Sequence, residues 1–177
     1  MGQREALIAR CIPFFQEVKD RTPGPELEQW LNRTYGPGSK LYDELARLIT
    51  AGVQEGWAAN VEINGPRYRR SRLCEPRAET LYFSITTVYM NSMAGTDDVE
   101  AVFRGDEHAH PYGEINLVVP LDDTARLFGP NNGWCGAGWT SPAPGSQHFP
   151  EAKGGALIAL FFLPSGRISY DIKPPRS

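Results

Sequence analysis

Several features that mark common functional classes are missing from this chain of 177 residues. Its formal net charge is -3, so no basic surplus favours nucleic acid or anionic lipid as a partner. The longest apolar run, at residues 156–164, is too short to cross a bilayer. Arg4, Glu5 and Arg10 interrupt the apolar start that a signal peptide needs. We therefore expect a cytoplasmic protein with no nucleic-acid and no membrane partner.

Cysteine and cofactor motifs are equally sparse. Cys11, Cys74 and Cys135 are odd in number, irregular in spacing and contain no Cys-x-x-Cys pair, so they do not predict a disulfide framework. The chain has no phosphate loop, no Gly-x-Gly-x-x-Gly after a strand and no Gly-x-Ser-x-Gly elbow. We therefore expect no nucleotide and no flavin cofactor. Lysine occurs four times against fourteen arginines, and arginine can grip a carboxylate with two hydrogen bonds.

The first third of the chain is predicted to be helical. Apolar residues recur at three- and four-residue steps in three stretches, separated by breaks at residues 22–25 and 36–38. Ser39 is suited to cap the third helix, and Gly56 to end it. These stretches contain no acid–base pair and no ligand spacing. We interpret residues 1–56 as a helical cover and residues 57–177 as a β-barrel that carries the site, together forming one compact unit.

Short strands dominate from about Trp57 onward. Residues 68–73 resemble an arginine-rich edge strand, and further strands are predicted at residues 81–90, 100–110, 114–121, 133–140, 146–149, 156–163 and 168–172. Gly, Pro, Asn and Asp punctuate the gaps. Residues 156–163 are apolar on both faces, as expected of a strand between two layers. The pattern predicts a mainly β fold, a sandwich or barrel preceded by helices.

All three histidines lie in two short segments, which predicts a metal site. Residues two apart on a strand point to the same side, so His108 and His110 are expected to project into one interior. Glu114 follows after a bend, and His148 comes from a distant strand. Three imidazoles and one carboxylate suit Fe, Zn, Mn, Ni or Cu and do not suit Ca or Mg. We expect a divalent transition metal with two coordination positions left open for catalysis.

Other residues near these ligands are candidates for lesser roles. Asp106 and Glu107 are alternatives to Glu114, although strand alternation puts Glu107 on the face opposite the histidines, towards a rim. Asn116 shares the predicted face of Glu114 and is a candidate to orient a ligand or a bound water. Four aromatic residues are candidates for the wall of a substrate pocket, although packing in the core explains their presence equally well: Tyr89, Tyr112, Trp134 and Trp139.

The histidine pattern resembles the cupin metal motifs. His-x-His-x-x-x-Glu stands here as His108, His110 and Glu114. The second motif, Pro-x-Gly-x-x-His, is approximated by the segment that ends at His148, in which the proline is displaced by one position. Val102 and Ala152 stand where the family has a glycine and an asparagine. The resemblance implies a cupin-like β-barrel, the double-stranded β-helix, with these four residues as its metal ligands.

The chain also resembles the 4-hydroxylaminobenzoate lyase family, through residues 110–116, 133–136 and 138–171. This resemblance implies conversion of 4-hydroxylaminobenzoate and water to 3,4-dihydroxybenzoate (protocatechuate) and ammonia, in bacterial degradation of nitroaromatic acids. A Lewis-acid metal would polarise the N–O bond, and Glu114 or Glu107 would transfer protons. The ring would stack between aromatic side chains.

An arginine is expected to hold the substrate carboxylate. Arg104 shares the predicted face of His108 and is the first candidate, with Arg69 and Arg126 as alternatives. Two other functions stay open at this point: a cupin-type Fe(II) dioxygenase of an aromatic substrate, which would consume O₂, and a non-catalytic cupin that binds an aromatic acid. The sheet edges expected of such a barrel favour a homodimer.

Overall fold

The computed structural model describes residues 2–105 and 108–165, apart from the side chains of Asn64, His108 and His148. Within these residues the helices are α1 Gln3–Val18, α2 Pro25–Tyr35 and α3 Lys40–Glu55. The strands are β1 Val61–Asn64, β2 Tyr68–Cys74, β3 Phe83–Asn91, β4 Val102–Arg104, β5 His108–Ala109, β6 Ile115–Pro120, β7 Arg126–Gly129, β8 Gly133–Cys135, β9 Gly138–Thr140, β10 Gln147–His148, β11 Glu151–Lys153 and β12 Ala156–Pro164.

The three helices begin and end at the predicted signals. Pro25 occupies the first turn of α2, where its missing N–H costs nothing. The Ser39 hydroxyl accepts the N–H of Tyr42 and so caps α3. Gly56 ends α3 in the left-handed region, with φ of 88°. In the described part of the chain, none of these helices has the length and apolar character to cross a membrane.

The strands form antiparallel sheets. The largest has six strands in the order β1-β2-β3-β12-β6-β9, a second has four in the order β4-β11-β7-β8, and β5 pairs with β10. The long central strand β12 pairs with β3 on one side and with β6 on the other. The predicted architecture is therefore confirmed: a mainly β, cupin-like barrel preceded by a helical segment.

The six-stranded sheet has two different faces. On β12, Ile158, Leu160 and Phe162 belong to the core shared with the helices, whereas Leu157 and Ala159 belong to the barrel interior. Strand β12 is thus apolar on both faces, as predicted. On β6, Ile115, Leu117 and Val119 face the helices, and Asn116 and Val118 face inward. The predicted alternation of this strand is confirmed.

The helices are joined to the barrel by aromatic packing and by hydrogen bonds, among them a buried one from Tyr42. Phe15 of α1 stacks on Phe83 at 4.7 Å between ring centroids and meets Phe162 edge-on at 5.3 Å. The Tyr42 hydroxyl of α3 donates to the carbonyl of Val118 at 2.7 Å. Burial raises the pKa of Tyr42 to about 12, so the hydroxyl stays a donor throughout the neutral range.

We expect Phe15→Ala to lower the free energy of unfolding by about 3–5 kcal/mol, because it empties a fully buried aromatic position between helix and sheet. Urea unfolding measures this. The control is Val99→Ala, at a position that is 53% exposed, which should change stability by no more than about 0.5 kcal/mol. Equal, small effects of both changes would contradict a core shared by helices and barrel.

Several strand predictions were wrong in detail. Residues 68–73 were predicted as an edge, but β1 lies outside β2 and forms the edge itself. Residues 133–140 are not one strand: β8 and β9 belong to different sheets. Strands β1, β7 and β11 were not predicted. The strand predicted at residues 168–172 lies outside the described residues.

The predicted strand at residues 100–110 is also divided. Strand β4 ends at Arg104, where the N–H of Gly105 donates to the carbonyl of Pro150 at 2.8 Å. A Cβ on Gly105 would lie 2.6 Å from Cγ of Pro150, so only glycine fits this approach without displacement. The following strand β5 belongs to a different sheet. Strand alternation therefore does not carry across Gly105.

Candidate functional site

A cavity of about 690 Å³ opens on the inner face of the six-stranded sheet, and we refer to it as the interior cavity. Its size lies within the range of small-molecule sites. Strands β2, β3 and β12 contribute much of its wall, and His110 reaches it from the loop after β5. The lining side chains that matter below are Tyr68, Arg70, Arg72, Thr86, His110 and Phe161.

His110 and Glu114 meet beside this cavity. The ring Nε2 of His110 lies 2.7 Å from Oε2 of Glu114, and only 2% of each side chain is exposed. The turn between them is closed by the N–H of Gly113, which donates to the carbonyl of His110 at 2.9 Å. Gly113 has φ of 76°, a conformation that favours glycine. A ring nitrogen and a carboxylate oxygen therefore converge in a place shielded from water.

The other two predicted metal ligands lie on the strand pair β5–β10. The register places His148 directly opposite His108 in the backbone pairing. Among the side chains that the structure describes, no group of three or more His, Cys, Asp or Glu converges on one point. The predicted alternatives Asp106 and Glu107 lie outside the described residues. The metal site thus stays a prediction, with two of its four residues in contact.

Asn116 continues the site towards the centre of the sheet. It is 3% exposed, and its side-chain amide donates to the hydroxyl of Thr140 at 3.1 Å. Its Oδ1 accepts no hydrogen bond from the described residues. Asn116 and Glu114 line a second, small cavity, and Phe161 lines both this one and the interior cavity. Asn116 therefore keeps one buried acceptor beside Glu114.

The register gives the distance between the two ends of the site. Directly opposed positions run across the sheet through Arg72 on β2, Thr86 on β3, Phe161 on β12 and Asn116 on β6. Neighbouring strands lie about 4.8 Å apart, so the backbones of Arg72 and Asn116 are separated by roughly 14 Å. Arginine side chains thus enter the cavity from one side and the Glu114 end closes the other.

Relatives of the chain point to one family. The family model described as 4-hydroxylaminobenzoate lyase matches residues 9–170. The chain belongs to the 4-hydroxylaminobenzoate lyase family. Two curated proteins named 4-hydroxylaminobenzoate lyase are similar to it: one from Pseudomonas putida is 61% identical over 98% of both chains, and one from Nocardioides sp. (strain LMS-CY) is 59% identical over 99% of both chains.

Solved structures resemble this family member more distantly. A DMSP lyase from Ruegeria pomeroyi is 13% identical over 98% of each chain, with a TM-score of 0.43. A cupin-like protein from Thermotoga maritima is 12% identical over 58% of this chain and 74% of its own, with a TM-score of 0.40.

In this member of the 4-hydroxylaminobenzoate lyase family, none of the four aromatic candidates lines the interior cavity. Trp139 is 2% exposed and packs against Phe14 of α1, with its ring N–H donating to the carbonyl of Tyr35. Tyr89 packs against the same helix-facing core. Trp134 meets Phe128 on the neighbouring strand β7. Trp139 and Tyr89 therefore follow the core-packing alternative, whereas Trp134 is half-buried on the four-stranded sheet and belongs neither to the core nor to the cavity wall.

The fourth candidate, Tyr112, is 49% exposed in the turn that joins His110 to Glu114. It does not line the interior cavity described above. Phe161 and Tyr68 supply aromatic surface to the cavity instead. Both were assigned to strands by the sequence, yet neither was predicted as part of the site.

The arginines proposed for the carboxylate lie elsewhere as well. Arg104 is on the outer side of β4, 58% exposed and 2.7 Å from Glu151, because the break at Gly105 separates it from the histidines. Arg69 stacks on Tyr89 on the far face of the sheet, at 4.3 Å from the ring centroid. Arg126 donates to the backbone carbonyls of residues 123 and 125.

Arg70 and Arg72 line the interior cavity instead. They alternate along β2 with Arg69, whose guanidinium stacks on Tyr89 on the other face of the sheet. Arg72 also contacts Glu75 at 3.0 Å. The signal was present in the sequence, since Tyr68, Arg70 and Arg72 share one face of a strand. This shared face was not recognised, because residues 68–73 were interpreted as an edge strand.

Proposed function

We propose that this protein converts 4-hydroxylaminobenzoate and water to 3,4-dihydroxybenzoate and ammonia, as a cytoplasmic step in the degradation of nitroaromatic acids. Relatives about 60% identical over nearly the whole chain bear the name of that lyase. The observation that carries the proposal is the interior cavity, with arginines on one side and a buried His110–Glu114 pair on the other. A homodimer remains a prediction, which light scattering on the purified protein can check.

The reaction balances without an external oxidant. The N–O bond, the C–N bond and one ring C–H bond of the substrate break, and two C–O bonds form on neighbouring ring carbons. The nitrogen is reduced to ammonia as the ring is oxidised, and water supplies the remaining oxygen and hydrogens. A nucleotide or flavin is therefore unnecessary, in agreement with the absence of their motifs from the sequence.

A divalent transition metal fits the residues at this end of the cavity. The donor set would be the imidazoles of His108, His110 and His148 with the carboxylate of Glu114. Support comes from the convergence of His110 and Glu114 and from the opposed register of the other two histidines. A mixed nitrogen and oxygen set of this kind suits Fe, Zn, Mn or Ni. When bound, the metal would supply Lewis acidity for the hydroxylamine oxygen or for water.

Side chains of the protein would transfer protons and bind the substrate. The Glu114 carboxylate would accept and return protons at the nitrogen and oxygen being exchanged, in a place where water does not compete. The Oδ1 of Asn116, which accepts no hydrogen bond from the described residues, would accept one from the hydroxylamine or from the attacking water. Phe161 would lie against the ring, and Arg70 would hold the carboxylate at the far side.

Anaerobic incubation with 4-hydroxylaminobenzoate tests the reaction. We expect 3,4-dihydroxybenzoate and ammonia in equal amounts, by mass spectrometry and NMR, at a rate unchanged by oxygen. If product forms only with oxygen uptake, the cupin-type dioxygenase replaces the lyase. Saturable binding of the substrate without any product would identify a binding protein instead.

Exhaustive chelation tests the metal. We expect a divalent transition metal at about one equivalent by elemental analysis, and loss of turnover when it is removed. Turnover should return when that metal alone is added back. Full turnover of a chain proved metal-free by elemental analysis would rule out the metal while leaving the lyase reaction itself intact.

A further inference from the structure

Helix α2 closes the outer edge of the six-stranded sheet. Among the residues that the structure describes, β9 is the last strand of this sheet, and no strand lies on one side of its backbone. Asn32 fills that side with two hydrogen bonds, accepting the N–H of Trp139 at 2.8 Å and donating to its carbonyl at 2.9 Å. Glu28, one helical turn earlier, accepts the N–H of the next outward-facing residue, Ser141, at 2.7 Å, and the side-chain amide of Asn131 donates to the carbonyl of Ser141 at 2.8 Å.

Glu28 is an unusual residue to bury. Its side chain is 1% exposed, and three donors point at its carboxylate: the N–H of Ser141 and the side-chain amides of Asn131 and Asn132. A carboxylate is costly to bury unless it is well hydrogen-bonded. The surrounding donors meet that need, and they fix the position of residue 141 relative to the helix.

Ser141 links Glu28 to the backbone of Glu114. Its hydroxyl donates to the backbone carbonyl of Glu114 at 2.9 Å and accepts the N–H of Gly24 at 3.2 Å, and all three groups are buried. The carbonyl of the next residue, Pro142, accepts the N–H of Glu114 at 3.2 Å. Both backbone polar groups of Glu114 are therefore bound to residues 141 and 142.

We propose that Glu28 and Ser141 are positioning residues for Glu114, and that α2 is a working part of the site and not only a cover. This inference rests on the function proposed above for Glu114. Glu28 is separated from Ser141 by 113 positions in the chain, so α2 reaches the site only through the folded structure. Because the hydroxyl of Ser141 touches the backbone of Glu114, its loss frees the carboxylate to leave its position beside His110.

The test compares two buried serines. Ser141→Ala removes one hydroxyl that bridges a backbone N–H and a carbonyl. Ser92→Ala does the same at a distant site, where the hydroxyl bridges the N–H and the carbonyl of Gly155. Both serines are fully buried, so both changes should lower Tm by similar amounts. An effect on exchange or activity that Ser141→Ala shows and Ser92→Ala does not is therefore due to the contact with Glu114.

Two readouts separate this inference from the proposed function. In the metal-free chain, we expect Ser141→Ala to speed hydrogen exchange at the Glu114 amide at least tenfold, and Ser92→Ala to leave it unchanged. In the loaded enzyme, we expect Ser141→Ala to weaken Mn²⁺ binding and lower kcat by about 10- to 100-fold, with little change in KM. Unchanged exchange overturns the inference. Faster exchange in a protein whose wild type neither binds Mn²⁺ nor turns over overturns the proposed function alone.

A second pair of variants tests the helix. Glu28→Gln keeps the shape of the side chain but offers a donor where Asn131 and Asn132 also donate, so it should act on the Glu114 amide and on kcat in the same direction as Ser141→Ala. Asn32→Ala removes two hydrogen bonds from the same helix to β9 and should lower Tm only. If Asn32→Ala slows turnover as much as Glu28→Gln, the effect belongs to helix docking, and the inference is wrong.

Discussion

Glu114→Gln is expected to lower kcat/KM for 4-hydroxylaminobenzoate by about a thousandfold while the fold remains intact. Glutamine keeps the shape of the side chain, and the backbone bonds to Ser141 and Pro142 are unaffected. It cannot take up a proton, and it is a poor ligand for a divalent metal. General acid–base catalysis alone contributes about 10²–10⁴ in rate, and loss of a metal ligand adds to this.

The measurement is steady-state kinetics on the purified variant, with metal content and Tm determined on the same preparation. Glu100→Gln is the control, because Glu100 is an exposed acid in the loop before β4 and should keep full activity. A Glu114→Gln enzyme that retains more than a tenth of the wild-type kcat/KM would exclude Glu114 as both proton carrier and ligand. In that outcome the role passes to another group at the His110 end.

The parts predicted well from the sequence are those governed by local periodicity. The helices were found because their apolar residues recur at helical spacing between strong signals, such as Pro25 at the start of α2 and Gly56 at the end of α3. The inward face of β6, with Asn116 and Val118, followed from strand alternation over six unbroken residues. The contact between His110 and Glu114 lies within one turn, so it was also within reach of local reasoning.

The parts predicted badly depend on where strands stop. Alternation was carried through residues 100–110, but the approach of Pro150 to Gly105 ends β4 and moves the next strand into another sheet. Arg104 was assigned to the cavity for this reason and lies outside it. For Trp139 and Tyr89 the sequence left a pocket wall and core packing open, because it does not reveal which face of a strand the helices cover; both side chains face the helices.

The role of the helices shows a further limit. Glu28 belongs to a stretch that contains no acid–base pair and no ligand spacing, so the sequence predicted only a cover. Its hydrogen bonds join it to residues 131, 132 and 141, more than one hundred positions away. A buried carboxylate with three donors leaves no periodic signal in the chain. Such a residue becomes visible only when the sheet edge and the helix are brought together.

Arg70→Met is expected to lower kcat/KM for 4-hydroxylaminobenzoate by about a hundredfold or more, chiefly through KM. Hydrogen bonds to charged groups are worth about 1.5–3 kcal/mol each, and a guanidinium can make two of them to one carboxylate. Losing both corresponds to roughly 3 kcal/mol or more, and each 1.4 kcal/mol is a factor of ten. Methionine keeps an unbranched apolar stem, so the wall of the cavity changes little apart from the charge.

The decisive comparison is between substrates. Phenylhydroxylamine lacks the carboxylate, so its slower turnover should change less than threefold in the Arg70→Met enzyme, and the wild-type preference for the benzoate should largely disappear. Arg69→Met is the control: Arg69 is the preceding residue on the same strand, but its guanidinium stacks on Tyr89 on the opposite face of the sheet. If both variants lose activity equally, or if Arg70→Met slows both substrates alike, Arg70 supports the strand and does not bind the carboxylate. Arg72, on the same face of β2, would then be the next arginine to test, because it too lines the interior cavity.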